Sequence, residues 1–120
     1  VEALSLIGDV AGKTSLIIDD EIGTGGTVVA TANTLKSHGA KQVFCAATHA
    51  VLSANAADIL NGSIVEKIVV TDTIPVSKDK VSRLGDKLEI ISIAPMLGEA
   101  IYRIHNGQSV GAMFNAPEDL

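Results

Sequence analysis

Aromatic residues are nearly missing from this 120-residue chain, which has one Tyr, two Phe and no Trp. A core must therefore come from Val, Ile, Leu and Ala, which dominate a hydrophobic share of 47%. β-Branched runs of this kind suit strands covered on both faces by helices. Cysteine occurs once, at Cys45 in an apolar run, which excludes an internal disulfide and points to a reduced, cytoplasmic core residue. Positive charge is also short. Nine Lys and Arg face fourteen Asp and Glu, for a net charge of −5, with no basic cluster. A nucleic-acid surface needs a positive footprint, so that partner class is excluded. Any bound phosphate must be met by backbone N–H groups, hydroxyls or a metal ion. No apolar run reaches membrane-spanning length and no signal peptide is visible, so no membrane partner is expected. The length suits one domain. Val1 opens in mid-pattern without an initiator methionine, from which a fragment of a longer protein is expected.

Hydrophobic periodicity predicts alternating strands and helices. Leu4–Ile7 reads as a short strand closed by Gly8–Asp9, and Thr14–Asp19 as a strongly apolar one. A glycine-rich loop follows. A helix is then expected over Thr27–His38, with Val28, Ala32 and Leu35 on one face and Gly39 as its stop. Further strands are expected at Gln42–Thr48, Glu66–Thr71 and Leu88–Ser92, and further helices at Ala54–Leu60 and Ala94–His105. Residues 72–86 read as a long polar loop. Such alternation implies right-handed crossovers, hence an α/β fold with a mostly parallel sheet flanked by helices. Ligands in such sheets lie beyond the carboxyl ends of the strands.

Residues 17–27 read I-I-D-D-E-I-G-T-G-G-T. The apolar strand delivers Asp19 and Asp20 to the carboxyl edge, pointing to opposite sides because strand side chains alternate. Gly23, Gly25 and Gly26 permit a tight turn and a close backbone approach to a ligand. The following helix aims its free N–H groups and positive dipole end at the same place, and Thr24 and Thr27 add hydroxyls. Two carboxylates repel phosphate but accept hydrogen bonds from sugar hydroxyls, or hold hydrated Mg²⁺ through water. Phosphate at one end and a diol at the other describe a sugar phosphate, and a 5-phosphorylated ribose fits. The competing structural reading is a plain turn with Thr24 capping the helix. Two acids immediately before the turn and a buried strand feeding it favour the ligand. Gly12–Lys13–Thr14 is not a P-loop, because it precedes a strand and its glycine spacing is one residue short. Gly23-x-Gly25 is not a dinucleotide fingerprint, because its third glycine position is Val28.

The acid pair followed by T-G-G-T resembles the ribose-phosphate loop of type I phosphoribosyltransferases. Four further stretches narrow the resemblance to the ribose-phosphate pyrophosphokinase (phosphoribosyl pyrophosphate synthetase) family. They are L-I-G-D-V-A-G-K (6–13), A-A-T-H-A-V-L-S (46–53), V-V-T-D-T-I-P (69–75) and I-S-I-A-P-M-L-G-E-A-I-Y-R-I-H-N-G-Q-S-V (91–110). The resemblance implies a type I phosphoribosyltransferase-like fold, incomplete at the N-terminal side and matching the family's carboxyl-terminal portion. It implies transfer of pyrophosphate from Mg-ATP to ribose 5-phosphate, giving phosphoribosyl pyrophosphate and AMP. Asp19 and Asp20 would hold the ribose hydroxyls and help place Mg²⁺ through water. Gly23, Thr24, Gly25, Gly26 and Thr27 would surround the 5-phosphate. Many relatives carry an acid or serine where Gly23 stands, so that contact is lost or passes to backbone. Glu21 is an additional acid. The family's ATP-binding domain, pyrophosphate loop and mobile basic loop would lie upstream of Val1, so the isolated chain is expected to be inactive. Ser109, Val110 and Phe114 match a tail that in some members lines an inter-subunit regulatory site, and a homo-oligomeric parent is implied. A phosphoribosyltransferase that consumes phosphoribosyl pyrophosphate, or a non-catalytic associated subunit, are the alternatives.

Other residues are read more plainly. His49, just past a strand end, has a site-lining and a hydrogen-bonded structural reading of equal weight. His38 and His105 sit at helix ends, where positive charge is favourable. Asp72 also occupies a strand end, where a turn-capping reading is favoured over ligand contact. Met96, Leu97, Ile101 and Ile104 form a helical apolar stripe expected to pack into the core.

Overall fold

The computed structural model describes residues 5–115. Its sheet is built from β1 (Thr14–Glu21), β2 (Gln42–His49), β3 (Lys67–Thr71) and β4 (Leu88–Ile91), all paired in parallel and in chain order. The helices are α1 (Gly26–Ser37), α2 (Ala56–Asn61), α3 (Lys78–Leu84) and α4 (Ala94–His105). The expected α/β class with a parallel sheet flanked by helices is the one observed.

Strand order decides which face is covered. Each strand is added on the same side of the one before it, so right-handed crossovers carry α1, α2 and α3 to a single face. Val43, Cys45 and Ala47 of β2 and Ile68 and Val70 of β3 point into that layer. There they join Val28 and Ala32 of α1, Ala56, Ala57 and Leu60 of α2, and Leu84 of α3 in one buried cluster. The small side chains of Ala32, Cys45 and Ala56, each fully buried, let helices approach the sheet closely without any aromatic filler. The alternate residues face the other way. Leu16, Ile18 and Ile91 are 56%, 77% and 54% exposed, so among the described residues the sheet is covered on one face and not on both.

Three other expectations are corrected. Ser5–Ile7 form no strand, and Leu4 lies outside the described residues. Ile7 is almost fully exposed, and no neighbouring strand offers it a ladder. The segment 72–86 contains α3, which Ser77 caps by accepting from the Lys80 N–H at 3.4 Å, with an Arg83–Asp79 pair along its face. The apolar stripe of α4 is not core: Met96, Leu97, Ile101 and Ile104 are all exposed, and α4 buries no residue. It is anchored at its start instead. The Asp72 carboxylate accepts from the Ile93 N–H at 2.9 Å, and hydrogen bonding from the Ser92 side chain, then from that N–H, holds its pKa below the ordinary value.

Lys87, after α3, has the opposite task. Its Nζ donates to the carbonyls of Leu60, Asn61 and Ser63 at 3.1, 3.0 and 2.8 Å, closing the C-terminal end of α2. A cation there satisfies carbonyls that the helix leaves unpaired and complements its dipole.

Candidate functional site

β1 runs two residues further than its apolar pattern, so Asp19, Asp20 and Glu21 all belong to the strand. Pairing with β2 continues through Asp19 opposite Ala47 and Glu21 opposite His49. Alternation sends Asp19 to the face of Ile17 and Cys45, and Asp20 to the other. Each carboxylate also fastens the next residue: Asp19 Oδ1 accepts from the Asp20 N–H at 2.9 Å, and Asp20 Oδ1 from the Glu21 N–H at 2.8 Å. Hydrogen bonding with the Asp19 side chain, then with the Glu21 N–H, and the charge of His49 hold the Asp20 pKa below its ordinary value. Asp20 therefore keeps its negative charge into mildly acidic solution.

The turn that follows is governed by Gly25, at φ +84°. A Cβ there would stand 3.0 Å from Cγ of Leu60, a fully buried α2 side chain, so glycine is required by both backbone and space. Gly25 is also the residue from which α1 starts. Its carbonyl accepts the Val29 N–H at 3.0 Å, and no side chain caps the helix. The competing reading of Thr24 as the cap is thus not what the fold adopts. The N–H groups of the first turn are left for another acceptor.

Asp19, Asp20, Gly23, Thr24, Gly25 and Thr27 line one open cavity of about 350 Å³, together with Glu21, Ile22 and Val28. Gly26, the first residue of α1, is exposed and is not among the lining residues. His49 lies beside the cavity and not in its wall; its Nδ1 is 2.8 Å from Oγ1 of Thr73. Ser109, Val110 and Phe114 belong to the tail after α4. There the Ser109 carbonyl accepts from Arg103 Nη1 at 3.1 Å, and Phe114 is 69% exposed. His38 closes α1, with Nδ1 2.8 Å from the Thr34 carbonyl.

Sequence reasoning missed the back of the site. The segment after β2 lies against the turn: Ile22 N–H donates to the His49 carbonyl at 3.0 Å, Leu52 N–H to that of Ile22 at 2.9 Å, and Ser53 N–H to that of Gly23 at 3.0 Å. The strand-end rule marks Thr48–Ser53 as a place beside a ligand, but only the apolar character of Leu52 hints that this segment braces the turn, and an apolar residue in a loop is a weak signal.

Cys45 lies on the same face of the sheet as Asp19. Burial first, and then the charge of Asp19, push its thiol from the ordinary 9.0 up to about 11. At pH 8 its thiolate is then about a hundredfold scarcer than that of an ordinary thiol with pKa 9.0. Alkylation of the native chain is expected to be slower than that of the urea-unfolded chain by at least about that factor. Equal rates at pH 8, followed by mass spectrometry, would show that the thiol is neither buried nor suppressed.

Fold and site together define a parallel α/β domain with an acid pair and a glycine turn at the carboxyl edge of its first strand. The chain belongs to the family described as the phosphoribosyl synthetase-associated domain, whose model matches residues 2–115. It is 48% identical over 114 residues to a ribose-phosphate pyrophosphokinase of Vibrio parahaemolyticus serotype O3:K6, covering 95% of this chain and 36% of that protein. A ribose-phosphate pyrophosphokinase of Aquifex aeolicus is 46% identical, covering 94% and 35%. The crystal structure of phosphoribosylpyrophosphate synthetase from Mycobacterium smegmatis superposes with a TM-score of 0.78 at 40% identity, covering 84% of this chain and 33% of that one. The chain thus spans about a third of the length of these relatives.

Proposed function

We propose that this chain provides the ribose 5-phosphate site of a ribose-phosphate pyrophosphokinase, the enzyme that transfers pyrophosphate from Mg-ATP to ribose 5-phosphate to give phosphoribosyl pyrophosphate and AMP. One observation carries the reading. A single cavity is lined by the Asp19–Asp20 pair at the strand end and by Thr24, Gly25 and Thr27 before the uncapped start of α1. The ribose hydroxyls donate to the carboxylates, and the 5-phosphate accepts from backbone N–H groups and the two threonine hydroxyls. The donor set suits Mg²⁺ only as a hydrated ion. Among the described residues no three His, Cys, Asp or Glu side chains gather to cage a metal. Two carboxylates at an open edge can still hold such an ion through its waters. Magnesium would neutralise charge on the transferring group, while this chain's residues bind and orient the acceptor sugar.

No Lys or Arg lines the cavity, and transfer between phosphates needs positive charge around the moving group. Purified chain is therefore expected to bind ribose 5-phosphate without releasing AMP from Mg-ATP. Calorimetric titration with ribose 5-phosphate, ribose and inorganic phosphate tests the binding, and ribose 5-phosphate must be the tightest of the three. Failure to bind at millimolar concentration sinks the reading and favours a non-catalytic associated subunit. Robust AMP formation by residues 1–120 in a coupled assay overturns the expected inactivity.

A further inference from the structure

Two residues without glycine's freedom adopt left-handed backbone close together after β2: Leu52 at φ +45° and Ala54 at φ +50°. L-residues avoid this region because Cβ crowds the following carbonyl, and such conformations persist only where the surroundings dictate them. Leu52 is dictated twice. Its side chain is 1% exposed within the core, and its N–H is bound to the Ile22 carbonyl. The next N–H, of Ser53, reaches the Gly23 carbonyl. The chain then enters α2, whose Leu60 packs against Gly25. One side of the glycine turn faces the cavity, and the strained segment and α2 hold its other side.

We propose that Leu52 is a positioning residue for the glycine turn: anchored in the core in a left-handed conformation, it delivers two amides onto the Ile22 and Gly23 carbonyls and so fixes the direction of the N–H groups beyond them. What those groups hold rests on the ribose 5-phosphate reading above, whereas the bracing itself does not. A β-branched residue is the least tolerated in left-handed backbone, and an unbranched one of equal bulk is tolerated as leucine is. The informative pair is therefore Leu52→Val and Leu52→Met, each checked for folding by circular dichroism.

Relative to the Lys41 amide, bound to the Lys13 carbonyl at the far end of the sheet, the Ile22 and Val29 amides should exchange about tenfold faster in Leu52→Val, a factor equal to about 1.4 kcal/mol of lost local order. Ribose 5-phosphate affinity should fall by about the same factor, while Leu52→Met stays within about threefold of the unsubstituted chain on both measures. A folded Leu52→Val that matches the unsubstituted chain overturns the proposal, as does a Leu52→Met that loses as much as the valine. The unsubstituted chain gives a test free of folding defects. Saturating ribose 5-phosphate should slow the Leu52 and Ser53 amides in step with Val29, and slowing confined to Val29 overturns the proposal. If no ribose 5-phosphate binds, the site reading fails, and exchange in the two variants still decides whether Leu52 braces the turn.

Discussion

Replacing Gly25 by alanine is expected to destabilise the chain by about 3 kcal/mol, the sum of a left-handed alanine and an overpacked contact. At φ +84° the new methyl group meets crowding from its own backbone. It also meets Leu60, with Cγ at 3.0 Å and Cδ2 at 3.2 Å. Leu60 is fully buried, and its helix ends on carbonyls tied to Lys87, so α2 has little room to withdraw. Urea unfolding followed by circular dichroism measures the loss. A change below about 1 kcal/mol would mean that the turn relaxes freely, contrary to its packing. Gly23→Ala is the contrasting case. Gly23 has negative φ, and no atom lies within 4 Å of the place a methyl group would take, so stability should stay nearly unchanged.

The second large effect separates the two ends of the site. Changing Asp19 and Asp20 together to asparagine is expected to lower ribose 5-phosphate affinity by about a hundredfold, since hydrogen bonds to charged groups contribute about 1.5–3 kcal/mol each. Inorganic phosphate, which makes no use of the end proposed to bind the diol, should bind the same variant more tightly, because two repelling charges have gone. Parallel titrations of the two ligands read this directly. A fall for both ligands would place the acids against the phosphate, through a cation, and a fall for neither would remove them from the site.

Much of this arrangement is legible in the residues. The apolar run to Asp19, the three glycines and the helical period from Val28 locate β1, the turn and α1, because each depends on neighbours a few positions away. The extension of β1 through Glu21 is not local, since it follows from the ladder to His49. Helix α3 is hidden by its polar surface, although Ser77 three residues before Lys80, with Val81 and Leu84 beyond, is a readable helix start. The stripe of α4 shows the converse: periodicity gives the helix its bounds but not a surface to bury against, and Ile101 and Ile104 remain exposed. A stripe records that a face is apolar, and only tertiary contacts decide whether it is covered. The brace at Leu52 is illegible for a related reason, because its conformation is imposed by a core built from distant strands and helices.

The sequential order of the sheet has a kinetic consequence. Each strand pairs with the one just before it in the chain, so every strand pairing closes after a single strand–helix–strand excursion. Loop-closure entropy is then paid in short instalments, and chains of this kind fold faster than those whose neighbours lie far apart. The acid pair, the glycine turn, the Leu52 segment and Leu60 all fall within residues 14–60. As synthesis proceeds from the amino end, the cavity can take shape on the first two strands while β3 and β4 are still to be made.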